Sequence, residues 1–141
     1  MRMTLILMAA AALLTVTGCT SNEGQGSPVS WARPYPQGQA SAGTLDIQVI
    51  RRPQSLEMTN TSLHAFGPST VWLNAEYALP IDGFAVGETL SLPLTGFRNE
   101  FSERFRAGGF FATRDPTRLV LAEIEAEDGR WGLIVVSNTL D

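Results

Sequence analysis

Between Thr44 and Ser137 the chain repeats one pattern: short runs in which apolar and polar residues alternate, each closed by Gly, Pro, Asn or Asp. In TLDIQVI, Leu45, Ile47 and Val49 fall on one face while Asp46 and Gln48 fall on the other, the period-two signature of a half-buried strand. Ser55–Thr59 alternates again and ends in the turn-rich NTS. Thr70–Tyr77 opposes Val71 and Leu73 to Trp72 and Asn74. Leu90, Leu92 and Leu94 alternate in ETLSLPLT, where Pro93 marks an edge strand or a bulge. Leu119–Glu127 and Trp131–Ser137 are two further strands, and Asp128-Gly129 between them is a hairpin signal. Six or seven strands with no intervening βαβ alternation constrain the fold to an all-β class. The expected form is a small antiparallel Ig-like β-sandwich over residues 44–141.

One segment departs from strand texture. In FRNEFSERFRAGGFFATRDPTR, Phe97, Phe101 and Phe105 recur every four residues, and Glu100 precedes Arg104 by four. With arginines in its last turn and Gly108-Gly109 as a stop, this spacing predicts one short helix from about Arg98 to Ala107. That helix would cap an open end of the sandwich. Phe110 and Phe111 are adjacent, so in an extended segment they face opposite sides and cannot both enter one core layer. They are the candidate partner-binding residues. Arg114–Arg118 reads as a β-turn with proline at its second position.

Upstream of the domain, Leu5–Val16 is an oily run of about a dozen residues, the length of a secretory h-region. As a helix it rises only ~18 Å, too little to span a bilayer core of ~30 Å. The run ends in Val16-Thr17-Gly18-Cys19, and this cysteine is the only one in the chain. An aliphatic residue, two small residues and a cysteine in that order resemble the lipobox of bacterial lipoproteins. The resemblance implies that residues 1–18 are a signal peptide, that the Cys19 thiol carries a diacylglycerol, and that Cys19 becomes the first mature residue. Thr20 follows in place of an aspartate, which by that family's sorting rule implies the outer membrane, facing the periplasm. Residues 19–43, rich in Gly, Ser and Pro, form the expected tether between lipid and domain. Within it, Trp31 and Tyr35 either sit at the membrane interface or pack on the domain. In the domain, LEMTNTS and VGETLSLPL resemble the strand–turn phrases of bacterial Ig-like and fibronectin-like modules, a likeness that implies no functional residue.

The chemistry-bearing residues are few. All ten basic residues are arginine, so lysine Schiff-base chemistry is excluded. The net charge of −4 disfavours nucleic acid as a partner. His64 stands between strands with no second metal ligand near it in sequence. Glu123, Glu125 and Glu127 share one strand face, which reads as a solvated row or as partners for Arg118 or Arg130 on a neighbouring strand. Neither a catalytic constellation nor a metal or cofactor site is expected. The composition therefore points to a non-catalytic interaction or structural module that contacts the membrane through its lipid and an unidentified envelope protein through its surface. A small-molecule or glycan binding domain using Trp72, Tyr77 and Trp131 is the alternative, and an envelope enzyme a more distant one.

Overall fold

The computed structural model describes residues 29–138. It is all-β, with seven strands: β1 (Ser41–Arg51), β2 (Ser55–Asn60), β3 (Ser69–Leu73), β4 (Tyr77–Ile81), β5 (Thr89–Pro93), β6 (Ala122–Ala126) and β7 (Gly129–Asn138). The only helical element among the described residues is a single 3₁₀ turn, Leu94–Gly96. The strands join in one sheet in the order β4-β3-β6-β7-β1-β2-β5. Every pairing is antiparallel except β1 with β7, which is parallel. The expected pair of antiparallel sheets is therefore corrected to one mixed sheet.

That sheet must curl. Strands β4 and β5 are its two edges, so a flat sheet would separate them by roughly six spacings of ~4.8 Å. Yet residues 82–88 join them while folding back to pair Phe84 with Phe66. The result is a half-barrel whose concave side holds the core. Ile47 and Val49 of β1, Leu56 and Met58 of β2, Val71 and Leu73 of β3, and Ile124 of β6 are all buried there. These are the inward positions that the alternation marks. Pro93 does lie on an edge strand, and the expected β6–β7 hairpin forms, but its turn is at 127–128 rather than Asp128-Gly129, with Gly129 in β7 opposite Ala126, and residues 119–121 lie outside β6.

Two local expectations fail. The run Thr70–Tyr77 is not one strand: Asn74 and Ala75 take positive φ (55° and 54°) and turn the chain from β3 into β4. The helix over 98–107 is absent. Phe105 N–H donates to Phe97 O at 3.1 Å and Asn99 N–H to Glu103 O at 3.1 Å, closing a small hairpin. Its turn is Asn99–Ser102, with Ser102 at φ 64°. Its first limb pairs with the free edge of β4, since Ala78 and Arg98 exchange backbone hydrogen bonds at 2.7 and 3.0 Å. Phe97 and Phe105 thus enter the core side by side, while Phe101 rides the turn into solvent.

Of the expected tether, residues 19–28 lie outside the described residues, as do Cys19 and the leader 1–18. Residues 29–40 are a strap across the outer face of β3, β6 and β7, and Ser41–Gly43 already belong to β1. Under the strap, Trp72 is fully buried on the face opposite the core.

Candidate functional site

The strands order the two ends of the half-barrel. At one end β1, β3, β5 and β7 finish and β2, β4 and β6 begin; at the other the directions reverse. The first end is closed by the long segment 94–121, which sends Leu94, Phe97, Phe105 and Leu119 into the core. Beyond them it projects a loop whose tip is Phe110-Phe111.

Three contacts fix the base of that loop. Arg51, the last residue of β1, is fully buried and donates from Nη2 to Ala107 O at 2.8 Å. Its guanidinium lies 6.0 Å from the Phe105 ring centroid, and burial lowers its pKa. Gln54 Nε2 donates to Gly108 O at 3.0 Å. On the returning limb, Thr117 N–H reaches Arg106 O at 2.9 Å and Arg106 Nε reaches Thr117 Oγ1 at 3.2 Å. Asn74 then secures the chain back to the sheet, donating to Arg118 O and accepting from the Val120 and Leu121 amides.

On this base, Gly109–Ala112 forms a tight turn closed by Ala112 N–H to Gly109 O at 3.0 Å. Phe110 and Phe111 occupy its two central positions and are 96% and 91% exposed, with their rings edge-on at 5.0 Å. Phe101, on the neighbouring hairpin turn, is 71% exposed, and Val120 and Leu121 are exposed at the same end. Below the tip, Arg104, Arg106 and Arg114 line one cleft with Ala112 and Thr113. Glu103 is the carboxylate of that cleft, and Asn99 Nδ2 holds its Oε2 at 2.8 Å. Both candidate residues are therefore brought to one exposed tip. The arginines around it carry no individual signal in the sequence beyond their crowding between residues 104 and 118.

Glu123 and Glu125 of the glutamate row depart from a solvated face, while Glu127 is exposed. Glu123 is buried, pairs with Arg130 at 3.3 Å and accepts a 2.6 Å hydrogen bond from the Tyr35 hydroxyl. Glu125 Oε2 accepts from both Trp72 Nε1 at 2.6 Å and Arg33 Nη2 at 2.7 Å. Arg33 lies over the Trp72 ring and Arg130 over the Tyr35 ring, and Arg130 also donates to the Pro36 and Gln39 carbonyls. These bonds lock the strap and place Val29 beside the Asn99–Ser102 turn, where its N–H meets Ser102 Oγ at 3.4 Å. Burial, followed by the Glu123 hydrogen bond and charge, pushes the Tyr35 hydroxyl up to about 12. Of the alternatives the sequence leaves open, pairing with Arg130 holds for Glu123 and Tyr35 packs on the domain; the participation of Arg33 and Trp72 has no sequence signal.

At the opposite end His64 Nε2 lies 2.9 Å from Asp128 Oδ2, and the imidazole packs on Phe66 and Trp131. Of the three rings considered for stacking on a sugar, Trp72 and Tyr77 are buried and Trp131 is half-buried. The two sheet edges border an open cleft of about 620 Å³ with a mixed lining that includes Ile81, Leu90 and Leu92 together with Asp82 and Glu88. Pro80 on one edge and Pro93 on the other supply no amide donor, which disfavours addition of a partner strand there. No protein-family profile, curated protein or solved structure matches the chain.

Proposed function

We propose that the chain is a lipid-anchored envelope protein whose half-barrel is a non-catalytic interaction or structural module. In this reading Cys19 carries the lipid, the protein sits in the outer membrane facing the periplasm, and the module makes its contact through the Phe110-Phe111 turn. The supporting observation is that turn itself. Two adjacent phenyl rings stand almost fully in solvent on a loop fastened by a buried arginine. Exposed aromatic surface on a firmly held base is the usual mark of an interaction site.

A photo-crosslinking side chain at position 111, activated in the intact envelope, tests the contact. Adducts at 111 that are absent from the same probe at Glu127, on the opposite end, are the expected result. Equal adducts at both positions, together with full biological activity of Phe110→Asp and Phe111→Ala, contradict it.

A second reading, small-molecule binding, draws support from the cleft between the sheet edges, whose size suits a small ligand. Substitution Leu92→Arg would then abolish ligand uptake while leaving the Phe110-Phe111 contact intact.

A further inference from the structure

We propose that the surface met by the Phe110-Phe111 turn is the bilayer itself: this end of the half-barrel is a membrane-contact face for anionic phospholipid. The inference rests on the lipid-anchor reading for one of its three supports.

The first support is the place where the chain joins the domain. Val29 lies against Ser102, at the end that also carries Phe101, Phe110 and Phe111. Cys19 precedes Val29 by ten residues, and ten residues reach at most ~36 Å even when fully extended. An acyl anchor at Cys19 therefore tethers the domain at this end, within ~36 Å of the headgroups. The opposite end, with His64 and the turn at 127–128, is farther by the length of the strands, roughly 17 Å for five residues.

The second support is shape. The rings sit at the centre of a convex turn whose backbone closes on itself through Ala112 N–H and Gly109 O. A protruding aromatic pair needs a deep complementary pocket on a protein partner, whereas a headgroup layer deforms around it. Aromatic rings favour that layer.

The third support is charge. Residues 104–118 hold four arginines and one aspartate, while the rest of the chain holds six arginines and thirteen carboxylates. Arg104, Arg106 and Arg114 surround the cleft under the tip and make no ion pair among the described residues. Glu103 shares that cleft, where Asn99 Nδ2 donates to its Oε2, and Glu100 lies on the hairpin turn beside it. A basic collar below two exposed rings matches phosphates above acyl chains, and guanidinium binds phosphate through paired N–H donors.

The test uses the full-length acylated protein, reconstituted in vesicles of phosphatidylethanolamine and phosphatidylglycerol. A polarity-sensitive thiol dye is placed by Phe111→Cys or, as the control at the far end, by Glu127→Cys. Acylation leaves no free thiol at Cys19, so each chain takes one dye. The expected result is an apolar environment and quenching by brominated lipid at 111, with an aqueous signal at 127. Phe110→Asp should return the dye at 111 to water, and the triple change Arg104→Gln, Arg106→Gln, Arg114→Gln should weaken the quenching at least several-fold. Matching aqueous signals at 111 and 127 in the anchored protein overturn the proposal, as does a protein adduct at 111 with the ring still in water.

If two thiols label instead of one, the anchor reading fails separately. The contact face is then judged by co-sedimentation of the unacylated chain. At least tenfold preference for the same vesicles over phosphatidylcholine, lost on Phe110→Asp with Phe111→Asp, sustains it. No preference ends it. Unchanged thermal melting of each variant confirms that the exposed substitutions leave the fold intact.

Discussion

The hydroxyl of Tyr35 stands 2.6 Å from Glu123 Oε2, a contact between residues 88 apart in the sequence that fastens the N-terminal strap to the sheet. Its proton is retained against alkali. Tyr35 is pushed up to about 12 by burial and by Glu123, and Tyr77 to about 12 by burial and by Glu76. Both lie above the ordinary value of 10.0. Below pH 10 both tyrosines are protonated in the folded and unfolded chains alike, so their contribution is intact. Between about 10 and 12 only the unfolded chain loses protons, and stability falls as pH rises. Since the chain has two tyrosines, absorbance at the tyrosinate band reads both. Titration delayed to near pH 12 in the folded protein is expected, with Tyr35→Phe removing half the amplitude.

Glu125 serves Trp72 and Arg33 with one oxygen. Glu125→Ala leaves the buried indole N–H without its acceptor, and the cost of such an orphaned donor is about 1–3 kcal/mol. Urea denaturation followed by tryptophan fluorescence checks this, with a lower midpoint and an unchanged slope expected.

The phenylalanines divide sharply. Phe97 and Phe105 are 0% and 1% exposed, so truncating either to alanine should cost about 3–5 kcal/mol. Phe110 and Phe111 are nearly free in solvent, so Phe110→Ala and Phe111→Ala should shift stability by no more than ~0.5 kcal/mol. Thermal melts of the four variants separate the two core rings from the two exposed ones.

The same stripe shows why part of the fold was illegible. A spacing of four satisfies a helix, but it is also an even spacing, so it satisfies a strand equally well. Phe97 and Phe105 face the core from the two limbs of a hairpin, and Phe101 is the turn between them. What decides is the free edge of β4, which takes up Arg98 through Ala78; no local pattern reports that edge. The strap was hidden for a similar reason. Its prolines disfavour regular structure, and Arg33 and Tyr35 meet partners about ninety residues away. The parallel pairing of β1 with β7 likewise joins the two ends of the domain. By contrast, the inward residues of β1, β2, β3 and β6 and the edge position of Pro93 follow from alternation and proline chemistry alone. So does the exposure of at least one of Phe110 and Phe111, although both turn out to be exposed because they cap a turn rather than lie in a strand.

Gly108 sets the course of the loop. Its φ is +89°, and a Cβ there would meet Pro116 Cβ at 2.9 Å. Gly108→Ala therefore combines left-handed strain with a clash, costing roughly 1–2 kcal/mol for the backbone alone. Faster amide exchange across residues 106–117 than in the parent protein is the expected readout, with the strands unchanged.

The proposed lipidation of Cys19 underlies the proposed function, and intact-mass spectrometry of the protein isolated from its native cell measures it directly. The predicted product begins at Cys19 and bears a mass increment equal to a diacylglycerol, with or without one further acyl chain, and Cys19→Ser abolishes both cleavage and increment. A polypeptide that keeps residues 1–18, or one whose Cys19 thiol is unmodified, contradicts it.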